Sequence, residues 1–259
     1  MAAHEIPREL LATPRVVTDL GECFFYHTID LPELGTVHAH WDLRGRFDDY
    51  IGGVSLAGKT VLDVGTATGF LSYEAEKRGA SQVVSFDMSD VRQQTMLPFK
   101  DNLYSTDHEQ WVKTYGAEID QWKNAYWLCH RLLGSNASVV YGSVYEMPVA
   151  LGKFDVVIIG SVLEHLSDPI SALASIASLA KQTLVIVTPL RQEDEPVAYF
   201  AGRAAHPERD FTWWVYSIGV YREVLAMLGF RIDHVKTDSY FYDYGKTLEQ
   251  RSTIVAVRG

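Results

Sequence analysis

The chain has 259 residues, 47% of them hydrophobic and 22% charged, with a formal net charge of -10; this is enough apolar material for one large domain with attachments and too much for a disordered chain. The acidic balance removes the global basic field that gathers a polyanion, which disfavours nucleic acid while leaving a local basic patch open. Cys23 and Cys129 are too few for a disulfide framework and show no metal-ligand spacing, and no stretch reaches the ~18 apolar residues of a membrane span, so a cytoplasmic protein without a membrane partner is expected.

Residues 1–58 do not alternate strand and helix and read as an N-terminal extension, a flap over the site that the rest of the chain builds. In it, Phe24 to Leu31 is aromatic and stopped by Pro32, and His38 and His40 stand beside Trp41. Trp41, Leu43, Phe47, Tyr50 and Ile51 recur at near-helical spacing, which predicts a helix over 41–51 closed by Gly52-Gly53. From 59 to 259 the pattern becomes strand and helix in turn: strand 60–65, helix 69–79, strand 82–87, a mostly helical stretch 91–134, and strands at 138–141, 154–160, 183–188, 230–236 and 252–257. Such alternation predicts an α/β fold with a mainly parallel sheet, helices on both faces and ligands outside the carboxyl ends of the strands. Two aromatic inserts interrupt it: 91–134, with Trp111, Tyr115, Trp122, Tyr126 and Trp127, and 189–215, with Tyr199, Phe200, Phe211, Trp213 and Trp214. They read as packing or as lids over an acceptor pocket.

The chemistry concentrates at Thr60 to Gly69, a β-branched run leading into a small-residue turn. Asp63 stands just before that turn, where a carboxylate repels a pyrophosphate and attracts an ammonium group. Asp87 ends the second strand 22 residues after Gly65, close to the ~20-residue offset at which an acid meets ribose hydroxyls. The turn is Gly65-x-Ala67-x-Gly69, without the third glycine of a dinucleotide loop. Together these features predict a holder for a cationic amino-acid nucleoside.

The sequence resembles the class I S-adenosylmethionine-dependent methyltransferases in VLDVGTATG at 61–69, Phe86-Asp87-Met88, Gly142-Ser143-Val144-Tyr145 and the run 154–165 that ends Val162-Leu163-Glu164-His165. The resemblance implies a Rossmann-like methyltransferase sandwich, a mainly parallel seven-stranded sheet with an antiparallel last strand. It also implies S-adenosylmethionine as cofactor: Asp63, Gly65, Thr66, Ala67, Thr68 and Gly69 at its methionine end, Asp87 on the ribose, Met88 on the adenine face, Ser143 and Val144 at the adenine edge, and Gly160 at the strand end beside it. Ser143 stands where many members carry Asp.

Tyr26-His27-Thr28-Ile29 ahead of Trp41, Val162-Leu163-x-His165, the run Leu228-Gly229-Phe230 and Arg251 are similar to the branch containing the tRNA wobble-uridine carboxymethyltransferase, which uses carboxy-S-adenosylmethionine. That similarity implies Trp41, Arg46 and Arg251 near the transferred group. Glu164 stands where that enzyme holds the cofactor carboxylate with a tyrosine, and two carboxylates in contact repel, so ordinary S-adenosylmethionine is expected. A sulfonium methyl is already activated, and catalysis needs positioning plus, for some acceptors, a base. His165 is the first candidate base, since it follows the strand where the cleft opens; Glu164 and His27 follow, with His38 and His40 behind them. His38 and His40 lack a third ligand, so no metal is expected. The expected activity is methyl transfer to a small-molecule acceptor, an aromatic compound or secondary metabolite among the candidates. The alternatives are a wobble-uridine type RNA-modifying enzyme, which needs a basic patch from Arg44, Arg46, Lys100, Lys113, Lys123, Arg131, Arg203 and Arg209, and a binding protein that keeps the cofactor fold without turnover.

Overall fold

A computed structural model describes residues 5–94, 102–202 and 212–259. Ile29–Leu31 (β1) and Gly35–Val37 (β2) form a small antiparallel hairpin, and Phe47–Tyr50 (α1) is a single helical turn. Regular alternation then begins: Thr60–Val64 (β3), Phe70–Lys77 (α2), Gln82–Asp87 (β4), Leu103–Thr106 (α3), His108–Leu133 (α4), Ser138–Tyr141 (β5), Phe154–Gly160 (β6), Pro169–Ala177 (α5) and Ala180–Thr188 (β7). Leu190–Arg191 (β8), Ala198–Phe200 (β9) and Trp214–Ser217 (β10) make a separate three-stranded sheet in the order β8-β10-β9. Ile218–Met227 (α6), Phe230–Tyr242 (β11) and Thr247–Arg258 (β12) complete the chain.

The main sheet has seven strands in the order β11-β12-β7-β6-β3-β4-β5. Neighbours from β7 to β5 pair in parallel, and β12 inserts antiparallel between β7 and β11. The mainly parallel seven-stranded sheet with an antiparallel last strand is therefore present. Its central strands are apolar on both sides because both faces are covered. In β6, Val156 and Ile158 join one core while Val157 and Ile159 join the other, and in β7 Val185 and Val187 oppose Leu184 and Ile186 in the same way. Each such side chain contributes roughly 1.5–3 kcal/mol by leaving water, so the strand register is strongly fixed. The order in which successive strands are added reverses between β3 and β6, whose parallel carboxyl ends open a crevice, the place where this topology binds ligands.

The N-terminal segment is woven into the sheet at both edges. The Ala12 amide donates to the Val139 carbonyl at 2.8 Å on β5, and the Asp42 amide donates to Phe241 at 3.0 Å on β11. The helix expected over 41–51 is shorter than its periodicity suggests. Trp41 donates its amide to Tyr26 at 3.1 Å and accepts from Thr28 at 2.7 Å, a strand-like use of the backbone, and Gly45 at φ +69 breaks any continuing helix. Its apolar residues are nonetheless all buried, Phe47 and Ile51 completely. The last two strands run past 236 and begin before 252, because Asp243, Tyr244 and Gly245, all at positive φ, turn them into one long hairpin. Among the described residues no helix is long and apolar enough to cross a membrane.

Candidate active site

The turn after β3 has the backbone its sequence asks for. Gly65, Ala67 and Gly69 adopt φ of +76, +49 and +88, and a Cβ at Gly65 would lie 2.3 Å from Val162 Cγ2. Only glycine fits there. Gly160, at the end of β6, is equally closed in, since a Cβ there would meet Leu71 at 2.8 Å.

Asp63 is fully buried beneath this turn. Its Oδ2 accepts from the Thr66 hydroxyl at 2.8 Å and the Ser72 hydroxyl at 2.7 Å, while its Oδ1 has no partner. Ser72 lies 2.6 Å from the Ser85 hydroxyl, which lies 2.8 Å from that of Tyr126 on α4. Each hydroxyl carries one proton, so with Ser72 donating to Asp63, Ser85 donates to Ser72 and Tyr126 to Ser85. The relay points at the carboxylate. Burial pushes the Asp63 carboxyl up to about 6, the hydroxyls opposing the shift and the Asp87 charge adding to it.

Asp87, at the end of β4, accepts from the Ala67 amide at 2.7 Å through Oδ2 and from the Met88 amide at 2.7 Å through Oδ1. Burial raises its carboxyl while these amides pull it back. Beside it is a hollow lined by Thr66, Ala67, Met88, Trp122, Lys123 and Tyr141. Lys123 reaches in from α4, donating to the Ser89 carbonyl at 2.6 Å with its ammonium 4.5 Å from the centre of the Tyr141 ring. Ser143 uses its hydroxyl to accept from the Tyr145 amide at 3.2 Å, and Val144 packs into the core. Trp122, Lys123 and Tyr126 of α4 thus line this side of the crevice. Trp111 leaves it for a small cluster with Val91 and Ile119.

A second group gathers over the end of β6. Glu164 is 2% exposed; its Oε2 accepts from the Thr188 hydroxyl at 3.4 Å and its Oε1 has no partner. Trp213, from the 189–215 insert, donates its amide to the Glu164 carbonyl at 2.8 Å and so holds the turn that carries it. Arg251, on β12, lies 4.8 Å from the centre of the Trp41 ring and donates through Nη1 to the Gln250 carbonyl at 2.8 Å; among the described residues its buried Nε has no partner. Burial raises the hydroxyls of Tyr26 and Tyr50, with smaller opposing contributions from Glu164, which raises them, and Arg251, which lowers them. Tyr242 packs on Trp41 at 4.7 Å and Tyr240 on Tyr50 at 5.2 Å. Arg251 thus lies over Trp41, and Glu164 bonds Thr188, which pairs with Ser252 next to Arg251.

His27, Arg46 and His165 fall differently. The His27 amide donates to the Thr68 hydroxyl at 3.4 Å and its ring lies 5.6 Å from that of Phe70, against the turn after β3. Burial holds its imidazole down at about 3, so it is neutral and a weak proton acceptor. Arg46 commits its guanidinium to Asp49 at 3.0 Å and Asp238 at 2.6 Å. His165 shares the short turn Leu163–His165 with Glu164 and is half-buried. Among the described residues no cluster of histidine, cysteine or acid side chains is placed to hold a metal ion; His40 packs instead against Tyr244 at 4.9 Å. Of the basic residues that an RNA surface would need, Arg44 is paired with Asp30 and Asp42, Arg131 donates to the Val17 carbonyl, and Lys100, Arg203 and Arg209 lie outside the described residues, as does Phe211.

A family model described as a methyltransferase domain matches residues 43–235. The chain belongs to this methyltransferase family. The class I S-adenosylmethionine-dependent fold is evident in the sheet order and in solved structures. Magnesium protoporphyrin IX methyltransferase from Synechocystis PCC 6803, with bound S-adenosylhomocysteine, superposes at a TM-score of 0.50 with 19% identity over 84% of this chain and 82% of that one. A candidate methyltransferase from Bacillus halodurans C-125 gives 0.51 with 15% identity over 83% and 98%. Both are likenesses of fold. No curated protein matches the chain.

The residues of this methyltransferase fit the cofactor of the fold. The unpartnered Asp63 Oδ1 suits an ammonium group, Asp87 ends the strand where ribose hydroxyls are held, and the left-handed turn lets a ligand approach the backbone. Sequence reasoning missed Tyr50, Lys123, Thr188, Tyr240 and Tyr242. The alternation Tyr240-Phe241-Tyr242, ahead of Asp243-Tyr244-Gly245, was a hairpin signal that could have found the last two.

Proposed function

We propose that this methyltransferase transfers the methyl group of ordinary S-adenosylmethionine to a small-molecule acceptor held between the N-terminal segment and the carboxyl ends of the sheet. Glu164 carries the reading: it is 2% exposed and, among the described residues, one of its oxygens has no partner. A buried carboxylate left this way costs free energy until a ligand satisfies it. It also repels a carboxylated cofactor, which favours the ordinary one.

When bound, S-adenosylmethionine supplies a methyl group already activated by its sulfonium. The chain's own residues bind and orient. Asp63 holds the ammonium end, the Gly65 to Gly69 turn the methionine backbone, and Asp87 the ribose, with Met88, Ser143 and Val144 around the base. Glu164 accepts a hydrogen bond from the acceptor and takes its proton where one is released, His165 standing next to it. Tyr26, Tyr50 and Trp41 exclude water. Transfer then rests on proximity and alignment, effects large enough to carry most of the acceleration.

The pairing of Arg44 and Arg46 with carboxylates supports a small acceptor over RNA. The test supplies methyl-labelled S-adenosylmethionine together with a small-molecule extract and bulk RNA. Label is expected in the small-molecule fraction with the wild type and at least ~100-fold less with E164Q. Label in RNA would overturn the acceptor class.

A further inference from the structure

Two oppositely charged groups, the buried Glu164 and the half-buried Arg251, stand near each other without pairing. Glu164 keeps Oε1 without a partner and Arg251 keeps Nε without one. Among the described residues, the acid within 4.0 Å of Arg251 is Glu249, at 3.8 Å, and Glu164 is not in ion-pair contact with it. Yet Thr188, whose hydroxyl bonds Glu164, pairs in the sheet with Ser252, the residue after Arg251. Opposite charges in a low-dielectric site attract strongly, and leaving both desolvated and apart is costly. The fold maintains the separation deliberately. Arg251 is held over Trp41, and the Trp41 backbone is fixed by Tyr26 and Thr28. Glu164 is held by Trp213 through its carbonyl and by Thr188 through Oε2.

We infer that the acceptor is a small zwitterion, its amine seated on Glu164 and its carboxylate on Arg251, so that it completes an ion pair the protein keeps open. This rests on the cofactor assignment above and adds the acceptor's chemical class. The Trp41 ring beside Arg251, with Tyr242 packed on it, suits a short aliphatic link. A neutral aromatic acceptor would leave Glu164 Oε1 and Arg251 Nε both without a partner among the described residues, and a plain amine or a plain acid would leave one. Buried polar groups of this kind reject analogues lacking the matching group far more strongly than an apolar pocket discriminates by size.

The experiment measures binding by titration calorimetry with S-adenosylhomocysteine present at saturation. The probes are glycine, β-alanine, 4-aminobutyrate and 6-aminohexanoate, set against butylamine, butyrate and phenol. At least one zwitterion is expected to bind tenfold or more tighter than all three single-group probes. With E164Q that zwitterion should fall to the level of butyrate, and with R251M to the level of butylamine; a cooperative melt for each variant shows that it is folded. If S-adenosylhomocysteine itself does not bind the wild type, the cofactor assignment fails. If it binds and no zwitterion exceeds the single-group probes, or if E164Q and R251M leave the preference intact, the zwitterion inference is overturned while the cofactor assignment stands.

Discussion

The Ala67 amide donates to the Asp87 carboxylate at 2.7 Å, tying the turn after β3 to the end of β4. One acid thus holds the left-handed turn in shape and, in the proposed cofactor site, would also meet the ribose. D87A should lower the affinity for S-adenosylhomocysteine by at least ~100-fold, since a hydrogen bond to a charged group contributes about 1.5–3 kcal/mol and more than one is lost. It should also lower the melting temperature of the ligand-free protein. Calorimetry and a thermal melt check both, and an unchanged melting temperature would show that the tie to the turn contributes nothing.

Cofactor affinity should depend on Asp63 ionisation. Burial places its carboxyl at about 6, so above that pH the ligand-free protein offers a carboxylate to the ammonium group, and below it a proton must first be lost. Affinity is expected to fall as pH drops through 6, by up to about tenfold per unit. Removing the outer hydroxyl of the relay with Y126F weakens the donors that favour the carboxylate and should move that midpoint upward. Titrations from pH 5 to 8 test the direction, and D63N should abolish the dependence.

Gly65→Ala should disable cofactor binding for two separable reasons. The new Cβ would sit 2.3 Å from Val162 Cγ2, and the backbone is at φ +76. The double variant G65A/V162A removes the clash but not the conformational cost of about 1–2 kcal/mol, so it should recover part of the lost stability and no more. Full recovery in a denaturant titration would mean that the conformation carries no cost.

His27 should make the fold acid-sensitive. Its imidazole is at about 3 in the folded chain against 6.5 ordinarily, so between those values the unfolded chain binds the proton and the folded one does not. Stability is therefore lost as pH falls through that window, on the order of 1 kcal/mol per unit. Asp63, raised in the folded state, acts in the opposite sense between 3.8 and about 6. Comparing the wild type with H27Q cancels that contribution, and the variant should show a flatter decline from pH 6 to 4 by chemical denaturation.

What was legible in the sequence was the part built from local patterns. The Val and Ile runs of β3, β6 and β7 announce a sheet covered on both faces, and Asp63, Gly65, Gly69 and Asp87 sit at strand ends where spacing alone places them. The acceptor side was less legible because distant segments assemble it. Trp41 reads as helical by spacing, yet its backbone pairs with Tyr26 and Thr28, so long-range hydrogen bonds override the period. Tyr240 and Tyr242 reach the site only because β11 outlasts its apolar core pattern. The apposition of Glu164 and Arg251, more than eighty residues apart, is set by β12 inserting beside β7. Neither residue's neighbours in sequence encode it.

The central claim is that this chain holds ordinary S-adenosylmethionine, and mass spectrometry of the species released from the purified, saturated protein tests it most directly. After equilibration with equal amounts of S-adenosylmethionine and carboxy-S-adenosylmethionine, the account predicts release of S-adenosylmethionine or its demethylated product. Release of the carboxylated form in excess, or of neither, would contradict it.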